Sequence, residues 1–446
     1  MHTPICDFVR AYREKSCMRF HMPGHKGVAF LGCEGADITE IAGADELYDP
    51  SGIIAESEEN ASRLFGFGKT IYGTEGSSQC IRAMLFLAMQ QRKTAERPLI
   101  LAGRNAHKAF LYGCALLDLD VEWLLPEEFS SLCSCKITPE QVARRLAEME
   151  RQPFALYLTA PDYLGDSPDL RGIAAVCRGV GIPLLVDNAH GAYLKFLQPS
   201  AHPIDLGAAM ACDSAHKTLP VLTGGAYLHF SQEWAEKAGG RAKKAMELFG
   251  STSPSYLILQ SLDACNAYLA GDYPRTLART IGRLDALRAA LRAHGWQLAD
   301  SDPLKLTILT GEMGYSGREV SEILRKNGVE CEFADLDAVV LMATPENGER
   351  DFLQVQETLC GLERRARNMP LLPTFSLPLR RMRIREAIFS PWEEVACEEA
   401  VGRVCAAPCV SCPPAIPIAV SGEEITAELA GLCRAYGMER MAVVRE

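Results

Sequence analysis

Between about residues 65 and 230, short unbroken apolar runs alternate with longer stretches of helical spacing. RPLILAG at 97–103, FALYLTAP at 154–161, IPLLVDNAH at 182–190 and GGAYLHF at 224–230 have the length and apolarity of buried strands. That alternation predicts βαβ units around a mostly parallel sheet, an α/β lobe. Before it, Gly and Pro break the pattern in HMPGHKG and GADELYDPSG, so residues 1–60 are expected to form an extended arm with short helices. After it, PSYLILQSLDACNAYLA and RTIGRLDALRAALRAHG carry helical spacing and predict a long connector. Beyond about residue 298, KLTILTG, DAVVLMAT and RRMRIREAIF are expected to be strands among helices, as in a smaller α+β lobe. The expected organisation is an arm at 1–60, a large lobe with its connector at 61–297 and a small lobe at 298–446.

Ligands of open α/β sheets gather outside the carboxyl ends of the strands, so polar residues just past each apolar run are where chemistry is sought. Four places qualify. In KTIYGTEGSSQCIRAM, Gly76, Ser77, Ser78 and Gln79 lead into an apolar-faced helix, whose free amide groups and dipole suit a phosphate as well as they suit simple capping by the serines. His107 follows the run at 97–103; a lone histidine there is either structural or a ligand contact. Asp187 ends the run IPLLV and precedes His190 and Gly191, and a carboxylate at the end of a buried strand needs a cationic or hydrogen-bonding partner. Lys217, in DSAHKTLPVLTGG, follows Ser214 and His216 on a turn before the last run; it is either a solvated lysine or a buried nucleophile of depressed pKa. Together a phosphate cradle, an aromatic ring, a carboxylate and a lysine are the parts that hold pyridoxal 5'-phosphate (PLP).

Composition narrows the class. The 446 residues are 48% hydrophobic and 23% charged, the balance of a globular chain with a large interior, and the formal net charge of -11 disfavours nucleic acid and anionic membrane as partners. The first residues, MHTPICDFVRAYREK, lack a signal-peptide core and no stretch approaches a membrane span, so a cytoplasmic location is expected. Seventeen cysteines, an odd number in mostly apolar contexts, fit reduced thiols. The groups Cys133 and Cys135, and Cys405, Cys409 and Cys412, lack paired CxxC knuckles, so no metal site is expected.

Ordered blocks along nearly the whole chain resemble the Orn/Lys/Arg decarboxylase family of fold-type I PLP enzymes, in the short form without an amino-terminal regulatory domain. They are FHMPGHKG, ADITEIAGADELYDPSGII, EGSSQCIRAM, RNAHK, VDNAHGAY, DSAHKTLPVLTGGA, STSPSYLILQSLDA, EAIFSPWEEV, AVGRV and CPPAIPIAVSGEEI. The resemblance implies a PLP-binding large domain and a smaller α+β carboxyl-terminal domain. It makes Lys217 the Schiff-base lysine, Asp187 the partner of the pyridine nitrogen and His107 the ring stacked on the cofactor. Ser77, Ser78, Gln79, Ser214 and His216 fall around the phosphate or its neighbourhood, and His190 is a further active-site residue. Family members form dimers or larger assemblies, and ADELYD is a candidate contributor to a neighbouring site. The sequence departs from the family pattern at Glu75, which puts a negative charge near the expected phosphate, at Gly224, where a polar residue is common, and in the CPPAIPIAVSGEE block.

The implied reaction is decarboxylation of lysine, arginine or ornithine to the amine, as in polyamine metabolism. Two alternatives stay open on sequence. One is another PLP reaction, such as transamination, for which Arg380, Arg381, Arg383 and Arg385 could grip a carboxylate. The other is an inactive homologue that binds PLP or polyamines.

Overall fold

The computed structural model describes every residue except 93–94, 128–132, 300–301, 367–376, 411–415 and 446. Cys412 and the start of the CPPAIPIAVSGEE block therefore lie outside the described residues. The chain forms two compact units. One comprises Met1–Thr94, Phe154–Ala160 and Leu170–Arg275; the other comprises Ala95–Pro153, Pro161–Asp169 and Thr276–Glu446. Compactness thus groups residues 95–153 with those from 276 onward, a grouping that crosses the linear order of 61–297 and 298–446.

Seven strands carry the α/β architecture: β1 (Lys69–Gly73), β2 (Leu99–Gly103), β3 (Asp120–Leu124), β4 (Ala155–Thr159), β5 (Leu184–Asp187), β6 (Met210–Asp213) and β7 (Ala226–Phe230). In the first unit, β4, β5 and β6 pair in parallel, while β7 runs antiparallel to both β6 and β1. In the second unit β2 and β3 pair in parallel. All four anticipated runs of the α/β region are strands. β5 and β6 are buried along their whole length, which explains the absence of polar alternation in LLVD and MACD. Three strands escaped the sequence pattern: KTIYG and DVEWL mix polar with apolar residues, and MACD is a run of only four residues.

Gly76–Met89 is helical because its second half is rich in Ala, Met and Leu and no proline interrupts it, and it buries Cys80, Ile81, Met84, Leu85 and Leu87. The anticipated connector is two helices, Tyr256–Leu269 and Tyr273–His294. The arm holds the helix Pro4–Glu14 and, after an irregular stretch, the helix Ile53–Phe65. Asp45 of ADELYD accepts the amides of Ser51, Gly52, Ile54 and Ala55, so this acidic residue anchors the start of the second of these helices.

The second unit adds an antiparallel sheet of Phe333–Ala334, Ala338–Met342, Lys305–Leu309 and Gln297–Ala299. KLTILTG and DAVVLMAT are its strands. RRMRIREAIF is not one: Ile384–Phe389 is a helix, started by Glu386, whose carboxylate accepts the Arg383 amide and pairs with its guanidinium. Cys405 and Cys409 lie 4.0 Å apart in a core with Cys397 and Cys433, and the described cysteines are thiols, with no disulfide among the described residues. No helix among the described residues is long and apolar enough to cross a membrane.

Candidate active site

The first unit brings Asp187, His190, Ser77, Ser214, His216 and Lys217 to the ends of β5 and β6 and the start of one helix. Lys217 sits in a single helical turn, Ala215–Thr218, directly after β6. Its Nζ is 3.1 Å from His190 Nε2. An ammonium there donates and the imidazole accepts, so the neutral His190 ring carries its proton on Nδ1. His190 is itself buried.

Asp187 closes β5 and is 2% exposed. Oδ2 accepts the Tyr157 hydroxyl at 3.2 Å, and Oδ1 accepts the Ala189 amide at 3.2 Å and the Cys212 thiol at 3.6 Å. Burial pushes this carboxyl up from its ordinary range, against the pull of Lys217 and these donors. A carboxylate uncomfortable in its charged form is one that gains from a further cation.

The helix Gly76–Met89 begins beside this group. Ser214 Oγ donates to Ser77 Oγ at 2.8 Å, which ties the Lys217 turn to the helix start. Gly76 gives its amide to Gly224 O at 2.7 Å, while Ser77 and Ser78 lie in the first turn, where amides have no partner within the helix. Gly224 has φ +101, and a Cβ there would fall 2.9 Å from Thr74 O; the departure at 224 is thus a backbone requirement of this turn. Gln79 is turned inward, with Nε2 donating to Tyr48 Oη and Met246 O. His216 donates from Nδ1 to Gly225 O, and burial lowers its pKa.

Glu75 is exposed, and its carboxylate accepts the amide of Ser251 instead of pairing with Arg82. The charge that sequence placed near a phosphate is taken up by a backbone donor. An anion at Ser77 and Ser78 is compatible with that arrangement.

In the second unit His107 caps the helix Lys108–Leu117, its Nδ1 accepting the Ala109 amide at 3.1 Å, so the neutral ring is protonated on Nε2. Arg104, three residues earlier, is buried. It donates to Pro417 O at 2.8 Å and Ile418 O at 3.1 Å, and pairs with Glu423 at 3.2 Å. The altered late block is therefore fastened to the RNAHK segment.

Sequence reasoning passed over Tyr157, Asn188, Asp213, His202 and His229. Tyr157 is hidden in an apolar run. Asp213 had a signal, an acid ending the strand just before SAHK, as Asp187 ends the one before NAHG.

The donor set meets the demands of PLP. First-turn amides and serine hydroxyls suit a phosphate, a buried carboxylate suits a protonated pyridine nitrogen, and a lysine amine suits an aldehyde.

Residues 3–301 match the family model described as the major domain of Orn/Lys/Arg decarboxylases. The chain is similar to a Bacillus subtilis protein named uncharacterized protein YaaO, 31% identical over 96% of this chain and 93% of the relative. It is also 29% identical to the arginine decarboxylase of Bacillus subtilis, over 96% of this chain and 92% of that one. Among solved structures, the constitutive lysine decarboxylase of Escherichia coli superposes with a TM-score of 0.79 at 19% identity, covering 100% of this chain and 82% of that one. That likeness identifies the fold as the fold-type I architecture.

Proposed function

The chain belongs to the Orn/Lys/Arg decarboxylase family, and from that premise we propose that it is a PLP-dependent decarboxylase of a basic amino acid, arginine foremost, yielding the amine and carbon dioxide. Arginine is favoured because the near-full-length curated relatives from Bacillus subtilis and Halalkalibacterium halodurans are named arginine decarboxylases. The observation that carries the reading is Lys217 Nζ, 3.1 Å from His190, on the turn after β6, with the carboxylate of Asp187 sealed at the end of neighbouring β5.

When bound, PLP supplies a protonated pyridine ring that takes up the electron pair left by the departing carboxylate. Asp187 would pair with the protonated ring nitrogen, its buried charge gaining from that cation. Lys217 would hold the aldehyde through Nζ and supply an acid or base there, with His190 Nε2 3.1 Å away and able to accept its proton. Ser77, Ser78 and Ser214 would hold the phosphate, and His107 is the proposed stacking ring.

The transaminase alternative loses support from its candidate arginines. Arg381 pairs with Glu424, Arg383 with Glu386 and Asp118, Arg385 donates to Ala115 O and Leu116 O, and Arg380 to Val121 O. Each is already engaged.

We further propose a cytoplasmic homodimer or larger homo-oligomer that serves polyamine metabolism. Met18, Phe20, Phe30 and Leu31 are 87%, 94%, 77% and 90% exposed, an apolar stretch of the arm that a second copy would cover. The test is a screen of arginine, lysine and ornithine with separate detection of carbon dioxide, amine and keto acid. Keto acid without carbon dioxide would establish the transaminase alternative, and no turnover of any basic amino acid at full PLP occupancy would establish the inactive one.

A further inference from the structure

The first unit holds a second sealed carboxylate. Asp213 ends β6, four positions before Lys217, and is 0% exposed. Its Oδ2 lies 3.2 Å from His202 Nε2 and 3.1 Å from His229 Nε2, and its Oδ1 accepts Asn188 Nδ2 at 2.7 Å. Both imidazoles are also fully buried, His229 packed on Phe65 at 4.6 Å between ring centroids and His202 on Phe67 at 4.7 Å.

The spacing of these three groups would suit a metal ion, but the ring nitrogens favour a different assignment. His202 Nδ1 accepts the Ile204 amide at 3.2 Å, so the neutral ring bears its proton on Nε2 and directs an N–H, not a lone pair, at Asp213. His229 Nδ1 meets Thr70 Oγ1 at 2.9 Å, and a hydroxyl that donates there again leaves Nε2–H for Asp213. Three donors converge on one carboxylate. Burial opposes its charge, yet His202 and His229 hold it well below the usual carboxylate range.

Asn188 links this cluster to the site. It follows Asp187 directly and is fully buried. Its amide donates to Cys212 O at 2.9 Å, its carbonyl accepts from Gly191 at 2.8 Å, and the next amide, Ala189, donates to Asp187 Oδ1. A Cβ on Gly191 would fall 2.0 Å from Asn188 Oδ1, so the glycine makes room for this side chain.

We propose that Asp213, braced by His202 and His229, is a positioning residue that clamps Asn188 and thereby fixes the carboxylate of Asp187. The proposal rests on reading Asp187 as the partner of the pyridine nitrogen.

The test uses PLP-loaded Asp213→Ala, Asn188→Ala and the double variant, with kcat normalised to bound PLP. Each single change should lower kcat about tenfold or more with KM within about twofold, the signature of a misplaced group that acts after binding. Each should also weaken PLP affinity, titrated without substrate, and alter the visible band of bound PLP. The double variant should lose no more than the worse single, because the two residues act in series. Asp213→Asn should recover to within about threefold of wild type: its oxygen can still accept from Asn188 and His202, while His229 moves its proton to the Thr70 side. Should Asp213→Ala not fold, Asn188→Ala and Asp213→Asn decide alone. Lowered thermal stability with kcat per loaded site, PLP affinity and visible band all unchanged in Asn188→Ala would overturn the proposal, and so would multiplicative losses in the double variant. Wild-type protein that takes up no PLP would defeat the cofactor reading and this proposal with it, whereas wild type that binds PLP beside unaffected variants would defeat this proposal alone.

Discussion

Replacing Asp187 by Asn should separate activity from stability. The local hydrogen bonds can survive the change. The amide oxygen, placed where Oδ1 now lies, can accept from Ala189 and Cys212, and the amide nitrogen can donate to a Tyr157 hydroxyl rotated to receive it. Any of these bonds that did fail would cost about 1 kcal/mol. What the variant removes is a buried charge. Because burial raises the folded-state pKa of Asp187, the folded chain binds its proton more tightly than the unfolded chain does. Stability of the PLP-free protein therefore falls as pH rises from the ordinary carboxyl range through the raised value, and above it the ionised group is a standing cost. The neutral amide of Asp187→Asn carries no such cost, so the PLP-free variant should melt at neutral pH no lower than wild type, and its melting temperature should lose that pH dependence. The loaded enzyme should instead lose about 10²-fold or more in kcat, about 2.7 kcal/mol, since a neutral amide cannot hold the charge on the ring nitrogen. Differential scanning fluorimetry of the PLP-free protein across pH, beside carbon dioxide release by the loaded protein, reads both effects. Near-normal kcat, or a fall of several degrees in melting temperature, would refute the reasoning.

Borohydride reduction of the PLP-loaded protein should attach the cofactor to Lys217, and Lys217→Ala should abolish both the visible band and the adduct; peptide mapping that finds the label on Lys26 or Lys108 would remove the cofactor assignment. Glu75→Asn should leave PLP affinity unchanged or slightly improved, because the carboxylate is turned to the Ser251 amide and not to the helix start; a tenfold weakening, about 1.4 kcal/mol, would show that Glu75 builds the site. Gly224→Ala should lower the melting temperature and weaken PLP binding together, because a side chain at φ +101 costs about 1–2 kcal/mol and the displaced Gly224 carbonyl holds Gly76; binding that survives intact would uncouple that turn from the phosphate site.

The parts of the fold that were legible are those where one physical signal dominates. The runs around Leu101, Leu158, Val186 and Leu228 are buried on both faces, so apolarity alone marks them as strands. RRMRIREAIF misled because its apolar positions alternate over a few residues, while its structure follows from a single side chain, Glu386, reaching back to Arg383. The candidate site was legible wherever a charged or capping residue interrupts an apolar run, as at Asp187 and Lys217. Tyr157 gave no such interruption. His202 and His229 lie 27 positions apart in the chain, and only the pairing of β1, β6 and β7 brings His229 to both Asp213 and Thr70. No local pattern encodes that meeting.

Asp187 and Asp213 close adjacent parallel strands, and both are buried almost completely, yet their surroundings drive them in opposite directions. Around Asp187 stand the charge of Lys217 and three neutral donors, a phenol, a thiol and one amide, and together they do not overcome desolvation, so its carboxyl is raised. Around Asp213 two imidazoles and the Asn188 amide converge, and these donors hold its charged form against burial. On the proposed reading, equal burial with unequal surroundings would let this pair of like residues divide its duties, one serving the chemistry and one holding the frame. The division also accounts for the order along the chain. Asn188 is peptide-bonded to the first acid and hydrogen-bonded to the second, so any displacement of β6 that moved the Lys217 turn would be felt at Asp187 as well, and the lysine and the carboxylate keep their relative placement.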